Sequence, residues 1–264
     1  MGDSAPAEEP VTTAFPIPNI VMESELNVVI GEHPLARLAA FVTEFPKPLG
    51  ESTTPEWIVD MFRLKPDSTP NAAPALAGAI RAMLRYGGYK PSGRGKPASE
   101  YLLRAATEGG LSSINLAVDV CNAISLHRGF PISVVDLDLA TPPFRIGIAA
   151  TGESYVFNPS GQEIALGGLV CLFDADGPCA NAVRDSQRTK TGPKTKRTMS
   201  VIWGAAGHEE ALAETAAEYR RVLEAGSAST QTVEMTAAAS IPGAPTHPAS
   251  VPREHPLDPT PSHG

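Results

Sequence analysis

The amino-acid sequence predicts a single α+β domain, with helices packed on a mixed, largely antiparallel sheet. Three observations lead there. Across residues 111–139 a helical period passes directly into a strand period. Downstream, short apolar alternations are broken by Gly and Pro turns at hairpin spacing and end in a continuous apolar run. The two ends of the chain are rich in Pro and small residues and cannot build a core. The domain is therefore expected over about Asn19–Ala225, with residues 1–18 and 226–264 as disordered tails.

Composition sets the outer bounds. Hydrophobic residues are 42% of the 264, enough for a real core. The formal net charge of −8 carries no global signature of nucleic-acid binding, so any such contact must come from a local patch. Cys121, Cys171 and Cys179 form no C-x-x-C pair, which suggests neither a zinc site nor a disulfide framework and fits reduced thiols. No apolar run reaches the roughly eighteen residues of a membrane span. The acidic start, MGDSAPAEEP, lacks the regions of a signal peptide, so a cytoplasmic protein is expected.

In chain order, Ile20 and Met22, then Leu26, Val28 and Ile30, alternate with polar residues and predict a strand or strand pair. Pro34 followed by Leu35, Leu38, Ala39, Phe41, Val42 and Phe45 predicts a helix, ended by Pro46 and Pro48. Thr54 and Pro55 predict the start of a short helix burying Trp57, Ile58, Met61 and Phe62. A third helix covers Asn71–Tyr86 with Leu76, Ile80, Met83 and Leu84 inward, and Gly87-Gly88 stops it. The loop YKPSGRGKP then brings Lys90, Arg94 and Lys96 together on a broken backbone. That suits phosphate contact and a solvated basic loop about equally. A helix over Ser99–Glu108 follows.

The stretch Leu111–Leu139 organises the rest. Ile114, Ala117, Val118, Cys121, Ile124 and Leu126 predict a helix, capped by Ser112 or Ser113 and stopped at Gly129. Asn115, Asp119 and Asn122 fall on one stripe of it, although short polar side chains compete with the helix backbone. Either the stripe is a semi-exposed face, or it is fixed against a cleft or an adjoining loop, which we favour. The strand Pro131–Leu139 then delivers Asp136 and Asp138.

Beyond it, Phe144, Ile146 and Ile148 with a return strand at Tyr155–Phe157 give a hairpin signal. Leu169–Phe173 reads as a buried strand, and Asp174–Pro178 as a turn that lacks the spacing of a calcium loop. The next stretch carries Arg184, Arg188, Lys190, Lys194, Lys196 and Arg197 among hydroxyls, without aromatics. That mixture favours phosphate and sugar contacts over base stacking. Thr198–Trp203 predicts a closing strand and His208–Ala225 a last helix.

Several separated motifs carry a family resemblance. They are Tyr89-Lys90-Pro91-Ser92, Ile114-Asn115, Val118-Asp119-Val120 with Asn122, Pro131, Asp136-Leu137, and Arg184 to Thr191 with Thr195. Together they resemble the tRNA-binding editing module, the B-three/four domain, of the phenylalanyl-tRNA synthetase beta subunit, and more closely its free-standing forms. The resemblance implies a tRNA partner, with no DNA and no membrane, and hydrolysis of mischarged aminoacyl esters without a metal or other cofactor. It implies that Asn122 and Ser133 hold the aminoacyl group as the catalytic pair. Asn115, Asp119, Cys121, Asp136 and Thr189 would line or brace the pocket. Lys90, Arg94, Lys96, Arg184, Arg188, Lys190 and Lys194 would bind the tRNA. Cys121 and Ser133 stand where the synthetase module has Thr and His, and the glutamate of its closing strand has no counterpart between Thr198 and Trp203. A triad is not supported, since His127 is six residues from both Cys121 and Ser133 and there is no nucleophile elbow. Three function classes follow: a trans-editing deacylase, a non-catalytic tRNA- or RNA-binding module, and an amino-acid-like small-molecule binder or hydrolase.

Overall fold

The structure is a computed structural model that describes residues 26–64 and 74–238. It is α+β, as the sequence predicts, but the strands divide into two main sheets and a ribbon. The elements are β1 (Asn27–Ile30), β2 (Ala36–Glu44), α1 (Glu56–Asp60), α2 (Pro74–Arg85), α3 (Ala98–Thr107), α4 (Leu116–Arg128), β3 (Ile132–Asp136) and β4 (Phe144–Ile148). There follow β5 (Ser154–Val156), β6 (Glu163–Ala165), β7 (Val170–Asp174), β8 (Gly177–Asn181), β9 (Arg197–Ala205), α5 (Glu209–Ala225), β10 (Ser229–Thr232) and β11 (Glu234–Ala237). One sheet has the order β11-β1-β4-β7-β8, the other β10-β2-β9-β3, and β5 pairs with β6 alone. Among the described residues, the β1–β11 and β1–β4 pairs are parallel and the other strand pairs antiparallel. One hydrophobic core runs through both sheets, from Val28 and Ile146 to Val201 and Tyr219.

Four expectations are corrected. Within the expected helix 34–45, residues 36–44 form β2, because the run lies between β9 and β10 and Ala40–Thr43 are buried. Phe41 meets Tyr219 of α5 edge-on at 4.9 Å. A short apolar run with few polar interruptions fits both periods, and sheet neighbours decide between them. The return strand at 155–157 does not pair with β4; β4 takes β7, and β5 takes β6. Trp57 is 45% exposed rather than core, while Ile58 and Phe62 are buried. Finally, order does not stop at Ala225. β10 pairs with β2 and β11 with β1, and Val233 between them is 2% exposed. The expected tail positions 1–18 and 239–264, the possible strand at Ile20 and Met22, and residues 71–73 of the third predicted helix lie outside the described residues.

Candidate nucleic-acid interface

The central helix begins two or three residues later than its serines suggest. Asn115 is the N-cap, its Oδ1 accepting from Val118 N at 3.0 Å, and Gly129 ends the helix in the left-handed region. Asp119 is fully buried and reaches back over the entering chain. It accepts from Thr54 Oγ1 at 2.5 Å, Ser113 Oγ at 2.6 Å and Ile114 N at 2.8 Å. The polar stripe is therefore fixed against adjoining loops, including 189–195, since Asn115 Nδ2 donates to Thr191 Oγ1. Thr54, expected to cap α1, is spent on Asp119 instead. Asn122 is half-buried, and its amide makes no hydrogen bond among the described residues.

The other expected pocket groups lie inside the protein. Ser133 is fully buried; its Oγ donates to Asp185 Oδ1 at 2.7 Å and accepts from the Trp203 indole at 2.8 Å. It has no open face for an aminoacyl group, which corrects its expected role. Cys121 is buried with Sγ on the Ile132 carbonyl, and burial pushes its thiol up to about 12. Asp136 accepts from Thr195 Oγ1, and Thr189 donates to the Cys179 carbonyl. These side chains brace the fold.

The basic residues separate in the same way. Arg188 grips the buried Asp174 through two bonds of 2.8 Å, so its charge is committed internally. Lys190 is partly buried, its ammonium 2.5 Å from the Phe157 carbonyl, and burial lowers its pKa. Lys96 and Lys194 are exposed. Lys90, Arg94 and Arg184, from two distant stretches of sequence, line one cleft of about 600 Å³. Tyr89, Phe157, Gln162 and Glu163 line it too. Neither the α4 stripe nor Ser133 is part of this lining.

Packing forms the cleft. Gly87 lies against Gly168, where a Cβ would fall 2.3 Å from the Gly168 carbonyl oxygen, and so lets the 89–96 loop start beside the β6–β7 turn. Tyr101 Oη donates to the Gly93 carbonyl at 2.8 Å, and Tyr89 Oη to that of Gly95 at 3.2 Å. The Arg184 guanidinium stands 4.5 Å from the Phe157 ring centre and 5.3 Å from that of Tyr101, and also donates to the Arg94 carbonyl. The aromatic contribution was missed in the sequence because no local spacing joins Tyr101 and Phe157 to Arg184. Among the described residues no cluster of His, Cys, Asp and Glu could hold a metal ion. No described helix is long and apolar enough to cross a membrane.

Comparison with known proteins matches residues 86–238 to the B3/4 domain, more than half of the chain. The chain belongs to the B3/4 domain family. The match starts at the loop that forms the cleft and runs to the end of β11. Among solved structures, this B3/4 chain is similar to an N-terminal fragment of the phenylalanyl-tRNA synthetase beta subunit from Pyrococcus horikoshii. Identity is 13% and the TM-score 0.47, over 81% of this chain and 53% of that one, so the chain spans about half of the fragment. No curated protein matches.

Proposed function

We propose that this B3/4 chain binds the aminoacylated 3′ end of tRNA in the cleft between the 89–96 loop and the β5–β6 hairpin, and clears mischarged esters held there. The observation that carries the reading is the convergence of Lys90, Arg94 and Arg184 on one cleft beside the Tyr89 and Phe157 rings. Cations suit the phosphates of an RNA end, and aromatic faces suit its bases. The cleft volume of about 600 Å³ matches a nucleoside-sized ligand. An aminoacyl ester is already reactive, so a well-positioned water and fixed hydrogen bonds supply much of the acceleration. Glu163 is the carboxylate of the lining that can take a proton from such a water. Asn122, whose amide makes no hydrogen bond among the described residues, lies outside this lining and would contact an ester only if it were held at α4 instead of in the cleft.

Binding at several salt concentrations and single-turnover deacylation of a panel of mischarged tRNAs test this. Replacing Lys90, Arg94 and Arg184 by Ala should weaken binding and reduce the logarithmic salt slope by about 2, at roughly 0.7 per single-strand phosphate contact. Glu163→Gln should slow deacylation and spare binding. Absence of salt-dependent tRNA binding in the wild type overturns the reading. Binding without deacylation reduces it to a non-catalytic RNA-binding module. A small amino-acid-like ligand is the second reading, favoured by the presence of both charge signs, Glu163 and the three cations, in one lining.

A further inference from the structure

Arg184 is held by its main chain as firmly as by its side chain. Its N–H donates to Asn181 Oδ1 at 3.0 Å, and its carbonyl accepts from Tyr155 Oη, which in turn accepts from Asn181 Nδ2. The next residue anchors the same turn. Asp185 Oδ1 accepts from Ser133 Oγ at 2.7 Å and Asn181 N at 3.3 Å, and Oδ2 accepts from Val134 N at 3.3 Å. The Trp203 indole holds Ser133 from the other side. Polar groups from β3, β5, β8 and β9 thus meet in the core behind one cleft cation, and Ser133, Trp203, Asn181 and Tyr155 are all buried.

We propose that Asp185 is a positioning residue for the cleft, acting through Arg184, so that ligand affinity depends on Asp185 accepting its three hydrogen bonds. The proposal rests on the cleft being the ligand site. A carboxylate matched to three donors fits as the anion. Protonation weakens the acceptor that Asn181 N and Val134 N share and frees the Ser133 hydroxyl to donate to the Asn181 carbonyl at 3.1 Å instead, so the anchor of the turn carrying Arg184 is rearranged. The guanidinium then loses its fixed stand over Phe157 and Tyr101. Burial pushes the Asp185 carboxyl up to about 6, against the lowering by Ser133, Asn181, Val134 and the Lys190 charge. Lys190 is the cation facing it. The other titratable groups that sense it are Tyr155, Tyr219, Cys121, Cys171 and Cys179, all held neutral by burial. Asp185 is the carboxyl of this cluster, and its raised value of about 6 falls between pH 5 and 7.5.

The test is binding of a CCA-ended RNA oligonucleotide by fluorescence anisotropy, from pH 5 to 8 at fixed ionic strength. Wild-type affinity should fall about tenfold on acidification, one pKa unit of coupling, with its midpoint near the Asp185 value. Asp185→Asn should bind about tenfold more weakly at pH 7.5 and lose the pH dependence. Tyr155→Phe, which keeps the ring and removes the hydroxyl on the Arg184 carbonyl, should also weaken binding. A ligand-free readout guards against misfolding of the Asp185 variant. With Trp57→Phe silencing the exposed indole, Trp203 emission should titrate near pH 6 through its bond to Ser133. If Arg184→Ala leaves affinity unchanged, the cleft assignment falls and this inference with it. If Arg184→Ala weakens binding while Asp185→Asn matches the wild type at every pH, only the positioning role is overturned. A flat Trp203 titration overturns it as well.

Discussion

Two aspartates a short distance apart in sequence respond to pH in opposite directions. For Asp174, burial alone would raise the pKa, but the Arg188 guanidinium and the Thr141 N–H outweigh it and hold the carboxyl below its ordinary 3.8. Its stabilisation is present above the unfolded value and is lost as pH falls through the lower folded one. Asp185 has a folded value of about 6 against 3.8, so its contribution favours folding in acid and is lost as pH rises through 6. That difference corresponds to roughly 2–3 kcal/mol at most. Urea midpoints should therefore decline between about pH 4 and 7 in the wild type relative to Asp185→Asn, in which that decline is absent. Arg188→Ala strands the Asp174 carboxylate and should cost roughly 1–3 kcal/mol, with little change in the salt slope of RNA binding. Asp119→Ala removes the acceptor of Thr54, Ser113 and Ile114 and should cost roughly 1–3 kcal/mol in a denaturant midpoint. Asn122→Ala, which breaks no hydrogen bond among the described residues, should stay within about 0.5 kcal/mol.

Among the elements, the last two strands carry the clearest consequence. β10 lies along β2, β11 lies along β1, and Ala228 and Val233 are buried. A chain ending at Gly226 forfeits both pairings and the Val233 burial, on the order of 3 kcal/mol from side-chain transfer and lost hydrogen bonds. Its thermal midpoint should fall by roughly 6–12 °C relative to a chain ending at Ala238. An unchanged midpoint would mean that both strands are dispensable. The expectation that the chain after Ala225 is a disordered tail rests on composition. Ser, Thr and Gln gave no apolar alternation there, yet an edge strand needs little of it when its hydrogen bonds go to a buried neighbour.

For the molecule as a whole, the chain carries a formal charge of −8, while its cleft is lined by three cations and one carboxylate. A net negative chain gives no general attraction for polyanions, so RNA binding should depend on where local positive charge and shape coincide, and non-specific binding should be weak. Competition with long single-stranded RNA lacking an aminoacylated end, at physiological salt, checks this. Equal affinity for that competitor would show a merely cationic surface rather than a selective cleft.

The sequence by itself determined most of what depends on near neighbours. The α+β class, α4 with its stop at Gly129, the buried β7, and the cationic loops at 90–94 and 184 are local patterns of period, cap and charge. The resemblance to the B-three/four module was also legible, because ordered motifs survive without knowledge of contacts. Tertiary structure decided what depends on partners far along the chain. It made 36–44 a strand by setting β9 and β10 beside it, and it committed the Arg188 charge by pairing it with Asp174. It buried Ser133 under Trp203 and Asp185, and it brought Tyr101 and Phe157 to Arg184. A side chain's chemistry is written in its type, but whether that chemistry faces solvent is set by packing against residues many positions away.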